Sequence, residues 1–246
     1  MKQISPLLAI GLFAAVAPLA ACSAEASDGN GTEIPATGSG GERRFAARDF
    51  HMVGLSSSAD VTVSVGPTFS VVATGSPAML DRLRVRQNGH SLDLGTKKGA
   101  WSGGGERVHF VVTLPRLTGA AIGGSGSITV DRVAGDSFEG NIGGSGRLTV
   151  NNMQVRRASW NIGGSGDITA AGRAGKTSVS IGGSGKVRNA GLRADTAEVT
   201  IAGAGNVAAN AARTADVTIV GSGDVVITGG AKCQVTKMGS GSVRCA

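Results

Sequence analysis

The residues in this chain best placed to do chemistry are serines held between glycines. From Ile122 onward the phrases IGGSGSI, IGGSGRL, IGGSGDI, IGGSGKV, IAGAGNV, IVGSGDV and KMGSGSV follow one another. Their centres are Ser125, Ser145, Ser165, Ser184, Ala204, Ser222 and Ser240, at spacings of 20, 20, 19, 20, 18 and 18. A serine in a tight turn could act as a nucleophile, but it needs a neighbouring base. His51, His90 and His109 stand singly and far apart, and no metal-ligand spacing links them. The fifth copy carries Ala204 in place of serine, which is not how a nucleophile behaves. The segment AAGRAGKT (170–177) satisfies a permissive phosphate-loop pattern. A phosphate loop must be followed by a helix, and the SVSIGG that follows reads as a strand. The GGSGD phrase is close to the calcium-binding G-G-x-G-x-D repeat. Its Asp comes one residue early, however, and occurs only at Asp167 and Asp224. These residues predict no catalytic site, no cofactor and no metal.

What the phrases do predict is architecture. A fixed period of this length marks stacked structural units. With the central residue as position zero, position +3 is Ile128, Leu148, Ile168, Val187, Val207, Val225 and Val243. Position −3 is isoleucine from Ile122 to Ile219 and then Lys237. Odd positions are mostly apolar and even ones mostly polar, the alternation of a strand with one buried face. Each unit is therefore strand, glycine corner, strand, and a variable return. No helical stripe appears in the returns. The expected fold is all-β, a right-handed parallel β-helix of seven rungs.

Comparing the copies ranks the glycines. Positions −1 and +1 are glycine in all seven: Gly124 and Gly126, Gly144 and Gly146, Gly164 and Gly166, Gly183 and Gly185, Gly203 and Gly205, Gly221 and Gly223, Gly239 and Gly241. They are predicted structural corner residues, required either by a positive φ or by a close approach of the coil beneath. Position +2, exposed by parity, runs Ser127, Arg147, Asp167, Lys186, Asn206, Asp224 and Ser242, a ladder of alternating charge. Position −4 is a polar row from Asn141 to Thr236. Trp160 at position −5 is expected in the core. Trp101, in a glycine-rich loop, is the better candidate for ligand contact.

The first residues have a different character. Lys2 precedes an apolar stretch from Ile4 to Ala17, too short for a convincing membrane span. Leu19-Ala20-Ala21-Cys22 then matches a bacterial lipobox. That resemblance implies a signal peptide over residues 1–21, cleavage before Cys22 and lipidation of that cysteine. Ser23 in place of Asp favours the outer membrane by the same analogy. Residues 22–41 are small and polar, a flexible tether by composition, and residues 42–246 form a single domain. The net charge is +7, from 24 Lys+Arg against 17 Asp+Glu, and aromatics make up 3% of the chain. Scattered positives in an exported protein argue against nucleic acid and allow weak affinity for anionic polymers.

Before Ile122 the strands persist but their spacing loosens. Ser57-Ser58-Ala59-Asp60-Val61 reads as a degraded corner with Ser58 at position zero. This half is expected to continue the solenoid with larger, irregular coils. The succession Arg43-Arg44-Phe45, DVTV (60–63), NGHSLDL (88–94), VHFVVTLPRLTGAAIGGSG (108–126) and repeated GSG turns resembles the auto-transporter adhesin head GIN domain family. The resemblance covers about Phe45 to Ala246. It implies an exported β-helical protein and supplies no catalytic residues. Only Arg244-Cys245-Ala246 follow the last unit, so no translocator is expected.

Cys233 and Cys245 fall at positions −7 and +5 of the last unit, both inward by parity. They are either buried thiols or a disulfide stapling the final coil. An oxidising compartment favours the bridge, which is the expectation here. The functional expectation is a non-enzymatic envelope lipoprotein, held to the membrane by its lipid, whose rigid surface binds a polysaccharide or protein. A polysaccharide-active enzyme on the same scaffold is the alternative. A structural module that self-associates is another.

Overall fold

A computed structural model describes residues 31–97 and 107–246. It is almost entirely strand. In chain order these are β1 (Thr32–Glu33), β2 (Ala36–Thr37), β3 (Glu42–Phe45), β4 (Met52–Leu55), β5 (Asp60–Val65) and β6 (Ser70–Thr74). A single helical turn, α1 (Pro77–Leu80), leads to β7 (Leu83–Asn88), β8 (Ser91–Thr96), β9 (His109–Leu114) and β10 (Gly119–Ile122). The repeats supply β11 (Ser127–Ile142), β12 (Arg147–Ile162), β13 (Asp167–Ile181), β14 (Lys186–Gly203) and β15 (Asn206–Gly221). The chain finishes with β16 (Asp224–Thr228), β17 (Lys232–Met238) and β18 (Ser242–Cys245). No helix among the described residues is long and apolar enough to cross a membrane.

The chain is a β-solenoid of about six turns. Each long strand of the repeat region bends through three sides of a coil. One side precedes the glycine corner, one follows it, and a third returns. Register is strictly parallel from coil to coil: Ile128 lies opposite Leu148, Leu148 opposite Ile168, Ile168 opposite Val187. The final unit contributes only β17 and β18, on two sides, so seven copies of the phrase close about six turns.

The inward columns are the ones the alternation marks. Ile122, Ile142, Ile162, Ile181, Ile201 and Ile219 form one buried stack, and the +3 aliphatics from Ile128 to Val225 another. Each such side chain contributes roughly 1.5–3 kcal/mol on burial. Trp160 is fully buried and its indole N–H donates to Thr177 Oγ1 at 3.1 Å. It packs against Gly140, where an added Cβ would sit 2.7 Å from Trp160 Cε3. Asn189 is the exception: it occupies the inward +5 column, is fully buried, and neither side-chain polar atom has a partner.

The corner glycines are required by stacking. A Cβ on Gly144 would collide with the carbonyl oxygen of Gly124 in the coil below. One on Gly146 would lie 2.5 Å from Ile122 Cγ2 and 2.6 Å from the Gly126 carbonyl. Positive φ is an added requirement only in the last three copies, at Gly203, Gly221 and Gly239. The backbone pairs across this seam, with Ser145 N–H donating to Gly124 O and Ser165 N–H to Gly144 O.

The N-terminal half departs from the expectation of larger coils in simple succession. Ser127 pairs with Asp60, which places Ser58 directly beneath Ser125, so β4 and β5 are a true rung. The next rung outward is β8 and β9, parallel to β4 and β5. Chain order is therefore broken: the strands after β5 pass beyond the first rung, and β10 returns to its opposite side. Beyond β8 and β9 the sheet turns antiparallel through β7 and β1 on one side and β6, β3 and β2 on the other. Antiparallel strands can close an end that a parallel coil would leave as an open edge. Residues 32–37, which have the composition of a linker, contribute two short strands. Thr32–Glu33 pairs with β7 and Ala36–Thr37 with β3, because the sheet edges there have backbone groups to satisfy.

Candidate functional surfaces

The serines at position zero stand exposed at the apex of each corner, and none has a histidine or carboxylate hydrogen-bonded to it. The described residues hold no group of three or more His, Cys, Asp or Glu arranged to bind a metal. The phosphate-loop-like segment lies inside β13, with no loop and no helix, and its Lys176 pairs with Glu198 at 2.7 Å. Cys22 and Trp101 lie outside the described residues. Cys233 and Cys245 are joined by a disulfide across the last coil, with Cα atoms 6.6 Å apart.

The exterior is organised by columns. On the side before the corner, Asn161 Nδ2 donates to Asn141 Oδ1 at 2.8 Å, and Ser180 and Thr200 continue the row. Asn161, Ser180 and Thr200, with Glu139, Ser159 and Glu198, line a shallow polar groove of about 380 Å³. On the side after the corner, Arg147, Asp167 and Lys186 are aligned as the spacing predicts. Asp167 makes its ion pair diagonally, with Arg188 at 3.3 Å. Such exposed pairs are worth about 0–1 kcal/mol and chiefly hold register.

The return side carries the departure from this pattern. Asp136 binds both Arg156 and Arg157, and Arg213 reaches Asp195 at 3.4 Å. Asp136 is held below the usual carboxylate range, first by its hydrogen bond from Arg156. Between these paired groups runs the column Gln154, Arg173, Arg193. The two arginines are exposed on neighbouring coils, and among the described residues neither has a carboxylate within ion-pair distance. They line a shallow cleft of about 360 Å³ with Asn152 and Gln154, over Gly172 and Gly191. The strand register shifts at this point, between Val150 and Met153, Thr169 and Gly172, and Asn189 and Arg193. Such irregularities re-aim side chains. The variable lengths of the return segments were the only sequence signal for this surface.

The three histidines are not all isolated. His51 and His90 stack with ring centroids 4.8 Å apart and planes inclined by 22°. The pairing of β4 with β8 brings them together, and no sequence spacing announces it. His109 is separate, its Nε2 3.3 Å from Thr62 Oγ1.

The sequence matches the profile of the family described as "Putative auto-transporter adhesin, head GIN domain" over residues 49–231. Several solved structures share the fold. A putative adhesin from Bacteroides fragilis NCTC 9343 superposes with a TM-score of 0.79 at 18% identity, over 83% of this chain and 96% of that one. A putative lipid binding protein from Parabacteroides distasonis ATCC 8503 gives a TM-score of 0.67 at 23% identity, over 86% and 98%. A putative adhesin from Parabacteroides merdae ATCC 43184 gives 0.62 at 17% identity, over 83% and 95%. No functionally curated protein matches the sequence.

Proposed function

The chain belongs to the auto-transporter adhesin head GIN domain family, and from that premise we propose that it is a non-enzymatic envelope lipoprotein that binds an acidic polymer along its return side. The observation that carries this reading is the Gln154–Arg173–Arg193 column. Elsewhere on the return side, arginines are paired with carboxylates of the same or an adjacent coil. Two unpaired guanidiniums one strand spacing apart repel each other, and an anion relieves that repulsion. Neighbouring coils lie about 4.8 Å apart, so the column offers a linear polymer successive charged donors. Guanidinium suits carboxylate and phosphate because its fork can bind both oxygens. The Asn152 and Gln154 amides beside it can donate to polymer hydroxyls. The net charge of +7 adds long-range attraction for a polyanion.

Lipidation at Cys22 would hold this surface at the membrane. Cys22→Ser is expected to move the protein from the membrane fraction to the soluble one.

Polygalacturonate, with dextran as the neutral control, tests the surface. The expected result is saturable, salt-sensitive binding of polygalacturonate alone, weakened at least about tenfold, or 1.4 kcal/mol, in an Arg173→Gln, Arg193→Gln double variant. Equal binding by the double variant would remove the column from the reading. Release of unsaturated or reducing sugars from the polymer would instead make the protein an enzyme.

A further inference from the structure

We propose that the C-terminal edge of the solenoid, strand β17, takes up an extended acidic segment of a partner protein as one more strand of the stack. The inference rests on what the last coil leaves uncovered and on the charge it carries there.

The two ends of the rod are finished differently. At the N-terminal end the outermost strands, β1 and β2, are two residues each. Edges that short offer little to pair with. At the other end β17 runs for seven residues and pairs only with β15, and β18 pairs only with β16. Every residue of β17 except Cys233 is exposed. Its outer row of backbone N–H and C=O groups has no partner strand among the described residues. Cys233 is tied to Cys245 at the end of β18. The edge is thus already held as a strand, and a partner need not order it on binding.

The apolar columns also stop there unfinished. Val179, Val199 and Val217 are buried, each under the valine of the next coil, whereas Val235 in the same column is 48% exposed. On the outer face Met238, 67% exposed, lies opposite Val220, 50% exposed. Four of the five large hydrophobics exposed among the described residues, Val220, Val226, Val235 and Met238, fall in this last stretch. A strand laid on β17 would cover Val235 as Val235 covers Val217.

Charge fixes the chemistry of the occupant. After Asp224 the chain carries Lys232, Lys237 and Arg244 and no Asp or Glu. Asp224 is taken by Ser242, whose N–H and hydroxyl both donate to its Oδ1. Among the described residues none of the three cations has a carboxylate within ion-pair distance. Lys237 takes the −3 position that isoleucine holds from Ile122 to Ile219. Lysine on an edge strand repels a second copy of the same edge, and it attracts a strand that carries acids. In the parallel register of the coils, that strand would set an acid over Lys232, an apolar residue over Val235 and an acid over Lys237. The backbone ladder supplies affinity in such an addition, and the side chains supply the choice of partner.

A capped, fluorescently labelled peptide, Glu-Ala-Thr-Val-Thr-Glu-Val, tests this by anisotropy against the full chain. Its binding should be saturable and salt-sensitive, and the same peptide with Lys in place of Glu should not bind. A Lys232→Glu, Lys237→Glu double variant, changed only at exposed positions, should weaken the acidic peptide at least about tenfold and bind the basic one. Two N-methylated forms of the acidic peptide, each blocking an alternate set of amides, keep every charge. One should fail and the other bind, since only one set faces β17. Arg173→Gln with Arg193→Gln should leave the peptide affinity unchanged, which separates this edge from the acidic-polymer surface. The proposal is overturned by no binding of the acidic peptide, by equal binding of the basic one, or by N-methylated forms that behave alike. A dimer that light scattering shows to form through this end, indifferent to peptide, overturns it in favour of a second copy.

Discussion

The repeat region and the N-terminal closure bury the same kinds of residue by opposite means. From β10 to β15 each coil lies on the one before it in the chain and every ladder is parallel. From β1 to β9 the chain lays down the rung of β4 and β5, passes beyond it to the antiparallel β6 and β7, and comes back to pair β8 and β9 in parallel with that rung; only β10 crosses to its far side. The repeat solves one contact and reuses it, whereas the closure must satisfy a sheet edge that has no successor. A solenoid needs such an end, since a coil without a neighbour leaves backbone groups open to chance pairing.

The comparison can be broken most sharply at the corners. Gly163 and Gly164 are adjacent, yet an added Cβ meets nothing within 4 Å at the first and the Gly144 carbonyl at the second. Gly164→Ala should cost about 3 kcal/mol or more, because the obstacle is backbone and cannot move aside. Gly163→Ala should be close to neutral or slightly stabilising. Urea denaturation of the two variants decides it, and equal midpoints would sink the stacking argument.

The opposite end of the rod tests whether it needs a staple where the N-terminus has a sheet. Cys233 and Cys245 are 12 residues apart, and opening so short a loop should cost about 2–3 kcal/mol. The loss should be local. Hydrogen exchange in a Cys233→Ser, Cys245→Ser double variant should speed up in β17 and β18 and leave β4 and β5 protected. Uniform acceleration would mean that the coils do not unfold separately.

A smaller effect, of opposite sign, is expected inside the repeat. Asn189 is fully buried with no partner. Asn189→Leu keeps the branched shape and should stabilise by about 1–2 kcal/mol. A lower melting temperature would show that the amide does something the apolar side chain cannot.

The smallest effect belongs to the surface. Asp136, on the surface, has its pKa lowered chiefly by the hydrogen bond from Arg156. Its contribution is present above the unfolded-state value and is lost as pH falls through the depressed folded one. Asp136→Asn should therefore flatten the acid limb of the stability curve slightly and change little near neutrality. A loss at neutral pH as large as at the corner glycines would contradict this.

How much of this could be read from the sequence follows the same division. Ile142 and Leu148 announce the core because their columns recur, and even the eroded corner at Ser58 lies where its parity puts it. The −1 and +1 glycines separate themselves because the copies within one chain act as their own comparison. His51 and His90 do not, since β4 and β8 become neighbours only after the chain has left the stack and come back. Thr32 to Thr37 have the composition of a linker and form strands only because β7 and β3 offer edges. Arg173 and Arg193 fall in return segments whose lengths vary, so their alignment depends on strand irregularities with no local signature. What repeats is legible, and what closes or interrupts the repeat is decided by contacts distant in sequence.

The seating of Trp160 on Gly140 bears on how the rod can change length. Where Val179, Val199 and Val217 follow one another, successive coils present the same inner face, so one could be deleted or duplicated and its neighbours would still fit. Beneath Trp160 they would not: only a coil lacking a side chain at that point can lie there, and only beneath the coil that carries the indole. The molecule thus has an extensible segment and an indexed one. A longer or shorter relative should differ in the number of its valine coils and retain the glycine–tryptophan step as a fixed mark on the rod.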